Sequence, residues 1–359
     1  MKIRHLLAVS WLFFCGFASA QSSVSYECSY YYEFYTIDYI RANHPECVSG
    51  TSGNTSQDVI AGSIVYQTQA VSHIISNRFQ TPGKPDGLVS LGMTGLSAGA
   101  ASSKWSVWGN VNLNNQRYTA YGPRTSTSES ETANLVLGAD YMITPKFVLG
   151  VSLARDDTGA KSYPTPTQVA WGITLPLNIE TTGFNIAPYL GWQITPEWTL
   201  DASAGFGKGH YRDDIATAKS DRRFAAVNVA YTRWLGNWQA LGKAGYLHST
   251  DKYGNTAVNA VGVVPGSGYR NRLDQMRLSG QVGYWMNGVM PYAGLAYSHD
   301  IKRSAQANTP WDKSAFIMTL GVDFSSIKNG VTGGFAFNRE LGRSNSRNYN
   351  FIGTINIRF

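Results

Sequence analysis

The last twelve residues of the chain, 348–359, alternate between apolar and polar side chains. Counting back in twos from the final residue gives an apolar set, namely Phe359, Ile357, Ile355, Gly353, Phe351 and Tyr349. The interleaved set is almost wholly polar. Because successive side chains of a strand point to opposite faces, this period of two predicts a strand with a different solvent on each face. A chain built from such strands is constrained to form a sheet that separates two environments.

The same alternation recurs in about twelve segments after residue 103, at 104–113, 132–143, 147–156, 183–194, 198–209, 223–235, 238–249, 274–286, 289–299, 314–325, 331–340 and 348–359. Tight turns alternate with long connections, and aromatic residues gather beside the tight turns (Tyr141, Phe147, Trp192, Trp198, Trp234, Trp238 and Trp285). Short turns, long loops and an aromatic belt are typical of outer-membrane proteins. We predict an all-β transmembrane barrel of about twelve antiparallel strands. A count of ten or fourteen stays open, because residues 169–179 could form a further external hairpin.

The N terminus carries the pattern of a secretory signal peptide. Lys2 and Arg4 precede an apolar run over 6–17, and Ala18-Ser19-Ala20 follows. This predicts cleavage between Ala20 and Gln21. Two cysteines, Cys28 and Cys47, then remain in an exported chain, and we expect them to form one disulfide. The net charge of +7 would suit nucleic acid in a cytosolic protein, but export argues against that partner.

The mature N-terminal region divides into two parts. Residues 21–56 form a short, tyrosine-rich segment that contains the predicted disulfide and ends in a Gly/Ser/Thr-rich linker. Residues 57–79 lack proline and carry apolar residues at roughly helical spacing among many polar ones, which predicts a helix with a polar surface. A connector rich in Gly, Ala and Ser completes the 57–103 region, and the barrel occupies 104–359.

Two features of this organisation resemble a known family. The final strand, with Phe359 preceded by Phe351, Ile355 and Ile357, resembles the C-terminal insertion signal of bacterial outer-membrane proteins. The order of helix, connector, an opening Trp105-Ser106-Val107-Trp108-Gly109 strand and a barrel resembles the autotransporter β-domain of type V secretion. The resemblance implies a twelve-stranded barrel with the helix inside its pore. It also implies a monomer that is inserted in the outer membrane of a Gram-negative bacterium by the insertion machinery. Many members carry a large passenger, and this chain departs from that pattern because only residues 21–56 precede the predicted helix, so the exported passenger would be very short.

The sequence contains no motif typical of an enzyme, a cofactor site or a metal site, so we predict none of these. The one alternative is a rim site built from His210, His248 and His299. Lys243 and Arg277 are predicted to face the lumen, because a lipid-facing charge costs about 2–4 kcal/mol near the midplane. Basic residues assigned to outer loops are candidates for lipopolysaccharide phosphates, namely Lys219, Arg222, Arg223, Arg270, Arg272, Lys302, Arg303, Arg343 and Arg347.

Three functions follow from this reading. The first is an outer-membrane autotransporter-type barrel that exports or displays its short N-terminal segment. The second is a porin-like channel with no secretion role. The third is a structural or adhesive surface barrel that acts through the tyrosine-rich segment and the outer loops.

Overall fold

The computed structural model describes residues 53–79 and 104–359, with internal gaps at 120–126, 165–168, 170–173, 215, 259–261, 264–267, 305–311, 327–329 and 345. The predicted signal peptide, the Ala20–Gln21 cleavage site, the Cys28–Cys47 disulfide and the connector after the helix lie outside the described residues. These described residues form one helix and a closed barrel.

Twelve long strands form the barrel wall. They are β1 Trp105–Tyr118, β2 Ser128–Thr144, β3 Phe147–Ser162, β4 Leu177–Gln193, β5 Trp198–Asp213, β6 Ala216–Leu235, β7 Trp238–Tyr253, β8 Arg270–Tyr284, β9 Val289–Arg303, β10 Ser314–Ser326, β11 Val331–Leu341 and β12 Ser346–Arg358. Each strand pairs antiparallel with the next one in sequence, and β12 pairs with β1, which closes the sheet. The predicted antiparallel barrel of twelve strands is confirmed.

Most strands extend beyond their predicted ends on the side of the long loops. β6, for example, begins at Ala216 instead of 223, and β4 begins at Leu177 instead of 183. The outward side chains of these extensions are polar, as Glu180 and Lys219 are, so they lack the outward apolar set that marks a strand in lipid. Backbone pairing in water continues the sheet there. Two short strands, Ala257–Val258 and Gly262–Val263, form a small hairpin that pairs with the start of β6.

The alternation predicted from sequence assigns the side chains correctly to the outer and inner faces of the barrel wall. Apolar residues of one set are exposed on the outside of the wall, as Phe184 and Trp192 are on β4. The opposite set is buried and largely polar, as Asn185 and Thr181 are on the same strand. None of the helices in the described part of the chain combines the length and apolar character that a membrane-crossing helix needs.

The tight turns predicted from sequence lie at one end of the barrel, together with the start of β1 and the end of β12. At the other end, β5 and β6 are also closely spaced, with only two residues between Asp213 and Ala216. Gly236 and Gly288 adopt positive φ angles of 60° and 98° in two of the predicted turns, which explains why glycine occupies them. Since short turns lie on the periplasmic side of outer-membrane barrels, the long loops define the outer end.

An aromatic belt surrounds the short-turn end of the wall. Outward-facing rings meet in cross-strand pairs, with centroids 4.9 Å apart for Trp105 and Tyr141, and 4.8 Å apart for Trp238 and Tyr284. The predicted belt members Phe147, Trp192 and Trp198 lie on the same outer set of side chains. The assignment of Trp234 to the belt was wrong, because Trp234 pairs with the buried Gln239 and shares its inward face. Trp285 lies beyond the end of β8.

The helix, α1, spans Gly53–Phe79 and occupies the barrel lumen. It begins four residues before the predicted start, and its 27 residues correspond to about 40 Å, longer than an apolar belt of about 25 Å. Its side chains are described from residue 63 onward. One face is apolar, and Val71, Ile74 and Ile75 pack against an inward-facing cluster with Trp108 and Val136. The lumen is therefore not wholly polar, since an apolar stripe of the wall seats the helix.

Candidate functional site: the helix-filled pore

The direction in which α1 runs through the lumen follows from its contacts at the two ends. Near its start, Ser63 Oγ donates a hydrogen bond of 2.9 Å to Asp156 in the outer half of β3. Near its end, Arg78 Nη2 donates to the carbonyl of Lys104, one residue before β1 begins. The helix therefore runs from the long-loop end of the pore to the short-turn end, and β1 then returns in the opposite direction.

A buried charge cluster holds the outer end of the helix. Arg222 Nη1 donates to Asp156 Oδ1 at 2.5 Å, and Arg222 Nε lies 3.6 Å from Asp251 Oδ2. All three side chains are almost fully buried. Ser63 binds the same Oδ1 atom of Asp156, so the helix is tied to β6 and β7 through one carboxylate. The prediction that Arg222 lies in an outer loop was wrong, because β6 begins six residues earlier and carries Arg222 on its inward face.

Two glycines make the space that the Arg222 side chain occupies. An added Cβ at Gly183 would lie 1.8 Å from Arg222 Nη1, and one at Gly209 would lie 2.9 Å from Arg222 Nε. No contact that close is possible between real atoms, so a larger residue at either position would displace the guanidinium. Sequence inspection gave no signal for this arrangement, since β4, β5 and β6 contribute one residue each.

The middle of the helix is held by a second polar group. Ser72 Oγ donates to Asp201 Oδ2 at 2.6 Å and accepts a hydrogen bond of 3.0 Å from Lys243 Nζ. Asn228 donates to the other oxygen of Asp201. The predicted luminal position of Lys243 is confirmed, and the amine contacts the polar surface of α1 as expected. Arg277 also faces the lumen. It lies between the two residues with which it is paired across the sheet, Gly245 on β7 and Ser298 on β9.

A third group anchors the helix at the short-turn end. Arg78 Nε lies 3.2 Å from Asp140 Oδ1, and both side chains are buried. Tyr189 Oη donates to Asp140 Oδ2 and accepts from Trp108 Nε1 at 2.7 Å. The opening Trp-x-x-Trp pattern is thereby explained, because residues three apart on a strand face opposite sides. Trp105 lies in the outer belt, and Trp108 lies inside the pore beneath the helix.

The predicted insertion signal lies on the outer face of β12. Phe351, Ile355, Ile357 and Phe359 are all exposed there, with exposed fractions of 54% for Phe351 and 67% for Phe359. The backbone of Phe359 exchanges hydrogen bonds with Trp105, which places this residue at the seam between the first and last strands. Their role in insertion stays a prediction.

The three histidines do not converge on one site. His210 and His248 are aligned with Lys219 and Ala225 on β6, six residues or about 20 Å apart along the strand. His299 lies on β9, two strands from His248. All three face outward, and two have local partners, His248 in Asp274 and His299 in Ser314. In the described part of the chain, no three His, Cys, Asp or Glu side chains are arranged to hold a metal ion.

The outer connections are also tied together by charge. Asp312, in the loop before β10, accepts hydrogen bonds from the backbone N–H and the hydroxyl of Ser344. These two bonds, first that of the backbone, lower the pKa of the Asp312 carboxyl. The carboxylate therefore joins the loop before β10 to the loop before β12.

The barrel resembles known proteins both in sequence and in fold. Residues 107–230, from β1 to β6, match the family described as autotransporter beta-domain. The translocator domain of the autotransporter NalP from Neisseria meningitidis superposes with a TM-score of 0.58 at 10% identity, over 83% of this chain and 99% of that chain. The barrel therefore has the fold of an autotransporter translocator domain, and residues 107–230 match the autotransporter beta-domain in sequence.

Two further translocators share this fold. The transport unit of the autotransporter AIDA-I from Escherichia coli gives a TM-score of 0.55 at 11% identity, over 80% of this chain and 97% of that chain. The beta domain of the Bordetella autotransporter Brka gives 0.53 at 14% identity, over 71% of this chain and 100% of that chain. No curated protein sequence matches the chain significantly. The autotransporter-type barrel predicted from sequence is confirmed in its fold by these translocators and in its sequence over residues 107–230.

Proposed function

We propose that this outer-membrane barrel exports the N-terminal segment that precedes α1 and displays it at the cell surface. The observation that carries the proposal is the direction in which α1 runs through the pore. The helix begins at Gly53 at the long-loop end and ends beside the start of β1 at the short-turn end. A segment joined to Gly53 therefore emerges on the outer side of the membrane.

The path of the chain supplies the reason. A segment that starts in the periplasm reaches the outer end of the pore only by passing through the barrel or by crossing together with it during assembly. The signal peptide predicted to end at Ala20, before Gln21, would deliver the chain to the periplasm. The cargo would then be residues 21–52, closed into a loop by Cys28 and Cys47.

Assembly belongs to the same proposal. Insertion by the outer-membrane machinery would read the apolar face of β12, and the barrel would function as a monomer among outer-membrane lipids. Outward-facing basic residues near the long loops, such as Arg272, suit lipopolysaccharide phosphates. The porin-like alternative has weaker support, because hydrogen bonds hold α1 at the outer end, the middle and the short-turn end of the pore. The proposal includes no catalytic step. The three histidines of the possible rim site lie apart from one another, which agrees with this.

The location of the N-terminal segment in intact cells tests the proposal. A short epitope placed after Gln21 is exposed to an impermeant protease, with a periplasmic protein as the control for membrane integrity. We expect cleavage of the epitope while the periplasmic control stays intact. Protection of the epitope until lysis would show that the segment stays inside, and would overturn the export function.

A further inference from the structure

A groove crosses the lipid-facing surface of β7 and β8, with a volume of about 460 Å³. Its floor consists of Gly242 and Ala244 on β7 and Gly280 on β8. A Cβ added at either of these glycines would meet nothing within 4 Å. Larger apolar side chains from the neighbouring strands form the walls, namely Trp198, Tyr231, Leu295 and Phe316. The groove is therefore open to the hydrocarbon of a surrounding bilayer.

The groove follows from the outward residues of β7. Ala240, Gly242 and Ala244 follow one another on that face, whereas the outward residues of β3 over 149–153 are leucine and valine. Small side chains leave the backbone uncovered, so a neighbouring molecule can contact the barrel from the floor and both walls. Because dispersion contacts add up over many atom pairs, a straight acyl chain gains more in this groove than on the convex wall elsewhere.

Basic side chains face outward at the outer ends of the same strands. On β6, β7 and β8 there are five of them, namely Lys219, Arg223, Lys252, Arg270 and Arg272. Two carboxylates share this surface. Asp274 Oδ2 lies 2.6 Å from Arg272 Nη2, and Asp221 lies 4.0 Å from Lys208 of β5. Among the described residues, no carboxylate lies within salt-bridge distance of the other four basic side chains, so the surface carries an excess of positive charge.

This excess is not shared by the whole outer rim. The outward residues at the outer ends of β1–β4 carry both signs, namely Arg117, Arg155 and Lys161 with Glu129, Glu131, Asp157 and Glu180. One of these pairs is a direct contact, with 3.4 Å between Arg117 Nε and Glu129 Oε1. The basic surface therefore lies on the side of the barrel that carries the groove, and β1–β4 offer an internal control.

The spacing of the groove and the basic surface fits one leaflet of a membrane. Arg223 and Arg272 are both paired with Thr250 and mark one level of the sheet, and Ala244, paired with Leu278, marks a level in the groove. Six residues separate these levels, or about 20 Å along a strand and about 15 Å along the membrane normal at the usual strand tilt. This is half of a hydrocarbon core of about 30 Å. One lipid of the outer leaflet can therefore contact both.

We propose that the outward face of β6–β8 is a binding site for one molecule of lipopolysaccharide. An acyl chain of its lipid A part lies in the groove, and a lipid A phosphate binds the guanidinium groups of Arg223, Arg270 and Arg272, which can form charge-assisted, bidentate hydrogen bonds. Lipopolysaccharide is the outer-leaflet lipid that combines several saturated chains with phosphates on a compact sugar headgroup. The inference rests on the proposed function in one respect, since it takes the long loops to lie at the outer surface.

A second copy of the barrel suits this face less well. Two barrels that met through the groove in one membrane would place their basic side chains at the same depth and opposite each other. Like charges at an interface are unfavourable, whereas a phosphate group neutralises them. Charge complementarity therefore favours the lipid as the occupant.

Titration of labelled lipopolysaccharide with the full-length barrel tests the charged part of the site. The protein is refolded in non-ionic detergent, and binding is followed by fluorescence anisotropy of the label on a lipopolysaccharide with a short sugar chain. We expect saturable binding of one molecule per barrel and an affinity about ten-fold lower for the double variant Arg223→Gln with Arg270→Gln, which removes two phosphate contacts. The matched control, Arg155→Gln with Lys161→Gln on β3, removes the same charge and should keep the affinity unchanged.

A second pair of variants tests the groove. Ala244→Phe fills the floor and should lower the affinity about ten-fold, the effect of losing contact with about two methylene groups. Ala139→Phe makes the same change on the outward face of β2 and should have no effect. A gel shift on heating shows that each variant is folded before binding is measured.

Three outcomes would overturn the proposal. Equal affinity of all four variants and the unchanged protein would show that binding does not use this face. Equal competition by phosphatidylglycerol would show that any anionic lipid is accepted. A dimer that forms without lipopolysaccharide and is lost in Ala244→Phe would assign the groove to a second copy. Each of these leaves the export function standing, because export is read from the surface epitope in intact cells.

Discussion

The guanidinium of Arg222, on β6, links β3 and β7 at the outer end of the pore. Through Asp156 of β3 it also links the helix. It bonds to Asp156, which also accepts from Ser63, and it lies beside Asp251. One positive charge is thus shared between two carboxylates in a nearly inaccessible site. Such a group stabilises the fold only while every member is present, because each isolated charge would be buried without compensation.

Replacement of Arg222 by methionine should therefore destabilise the barrel strongly. Breaking a buried ion pair by removal of one partner costs about 3–5 kcal/mol, and water in the lumen should keep the loss near the lower value. The measurement is the temperature at which the folded band converts to the unfolded band on a semi-native gel. The triple variant that adds Asp156→Asn and Asp251→Asn should recover part of the loss. Equal stability of Arg222→Met and the unchanged protein would contradict this account of the cluster.

Gly183 should behave as part of the same cluster. Gly183→Ala places a Cβ 1.8 Å from the guanidinium and should lower the unfolding temperature. Gly159→Ala is the matched control, because Gly159 lies on the outer face of the neighbouring strand with nothing within 4 Å of an added Cβ. In an Arg222→Met background, the cost of Gly183→Ala should largely disappear, as expected for coupled positions. Additive effects of the two changes would argue that they act separately.

At the scale of elements, the seat of α1 depends on the close approach of the helix to β4. An added Cβ at Gly191 would lie 2.5 Å from Ile75 Cγ2, so Gly191→Ala should push the helix away from the wall. Overpacking of this kind costs about 1–3 kcal/mol. We expect faster proteolysis within 63–79 in detergent-solubilised protein, together with a lower unfolding temperature.

The control for this change is Gly242→Ala, on the outward face of β7, where an added Cβ meets nothing within 4 Å. It should leave both protease resistance and unfolding temperature unchanged. Protection of the helix in Gly191→Ala equal to that in the control would show that Ile75 can adjust and that this contact does not position α1.

At the scale of the whole molecule, closure of the barrel joins the two ends of its wall. Trp105 and Phe359 exchange backbone hydrogen bonds of 3.3 and 3.2 Å, and β1 pairs with β12 along almost its full length. A closed sheet has no free edge, which a barrel in lipid requires because unpaired backbone groups are costly there. The final strand therefore serves both closure and, as we predict, insertion.

Phe359→Ala should reduce the amount of folded barrel in outer membranes, because it removes the terminal apolar side chain of the predicted insertion signal. Phe335→Ala is the matched control, since Phe335 of β11 is also an outward-facing phenylalanine, with an exposed fraction of 64% against 67% for Phe359. The measurement is the folded fraction in isolated membranes. Equal losses in the two variants would point to a general need for apolar surface, without a special role for the last residue.

The sequence by itself determined the class of the molecule. The period of two, the tight turns and the outward aromatic residues each report on a local property, the lipid or water next to a side chain, and so they predicted twelve strands, their faces and the luminal position of Lys243. Local patterns lose information at the outer end of the barrel, where the outward face of a strand is polar and no longer differs from the inward face in a regular way. For this reason the outer ends of β4 and β6 and the burial of Arg222 were missed.

Only the tertiary structure decided how the lumen is filled. Trp108, Asp140, Arg78 and Tyr189 come from three strands and the helix, and no spacing along the chain relates them. The same holds for Arg222 and the glycines that make room for it. Such contacts arise because closure of the sheet brings distant strands around one helix. Their geometry therefore depends on the whole barrel, and no single segment encodes it.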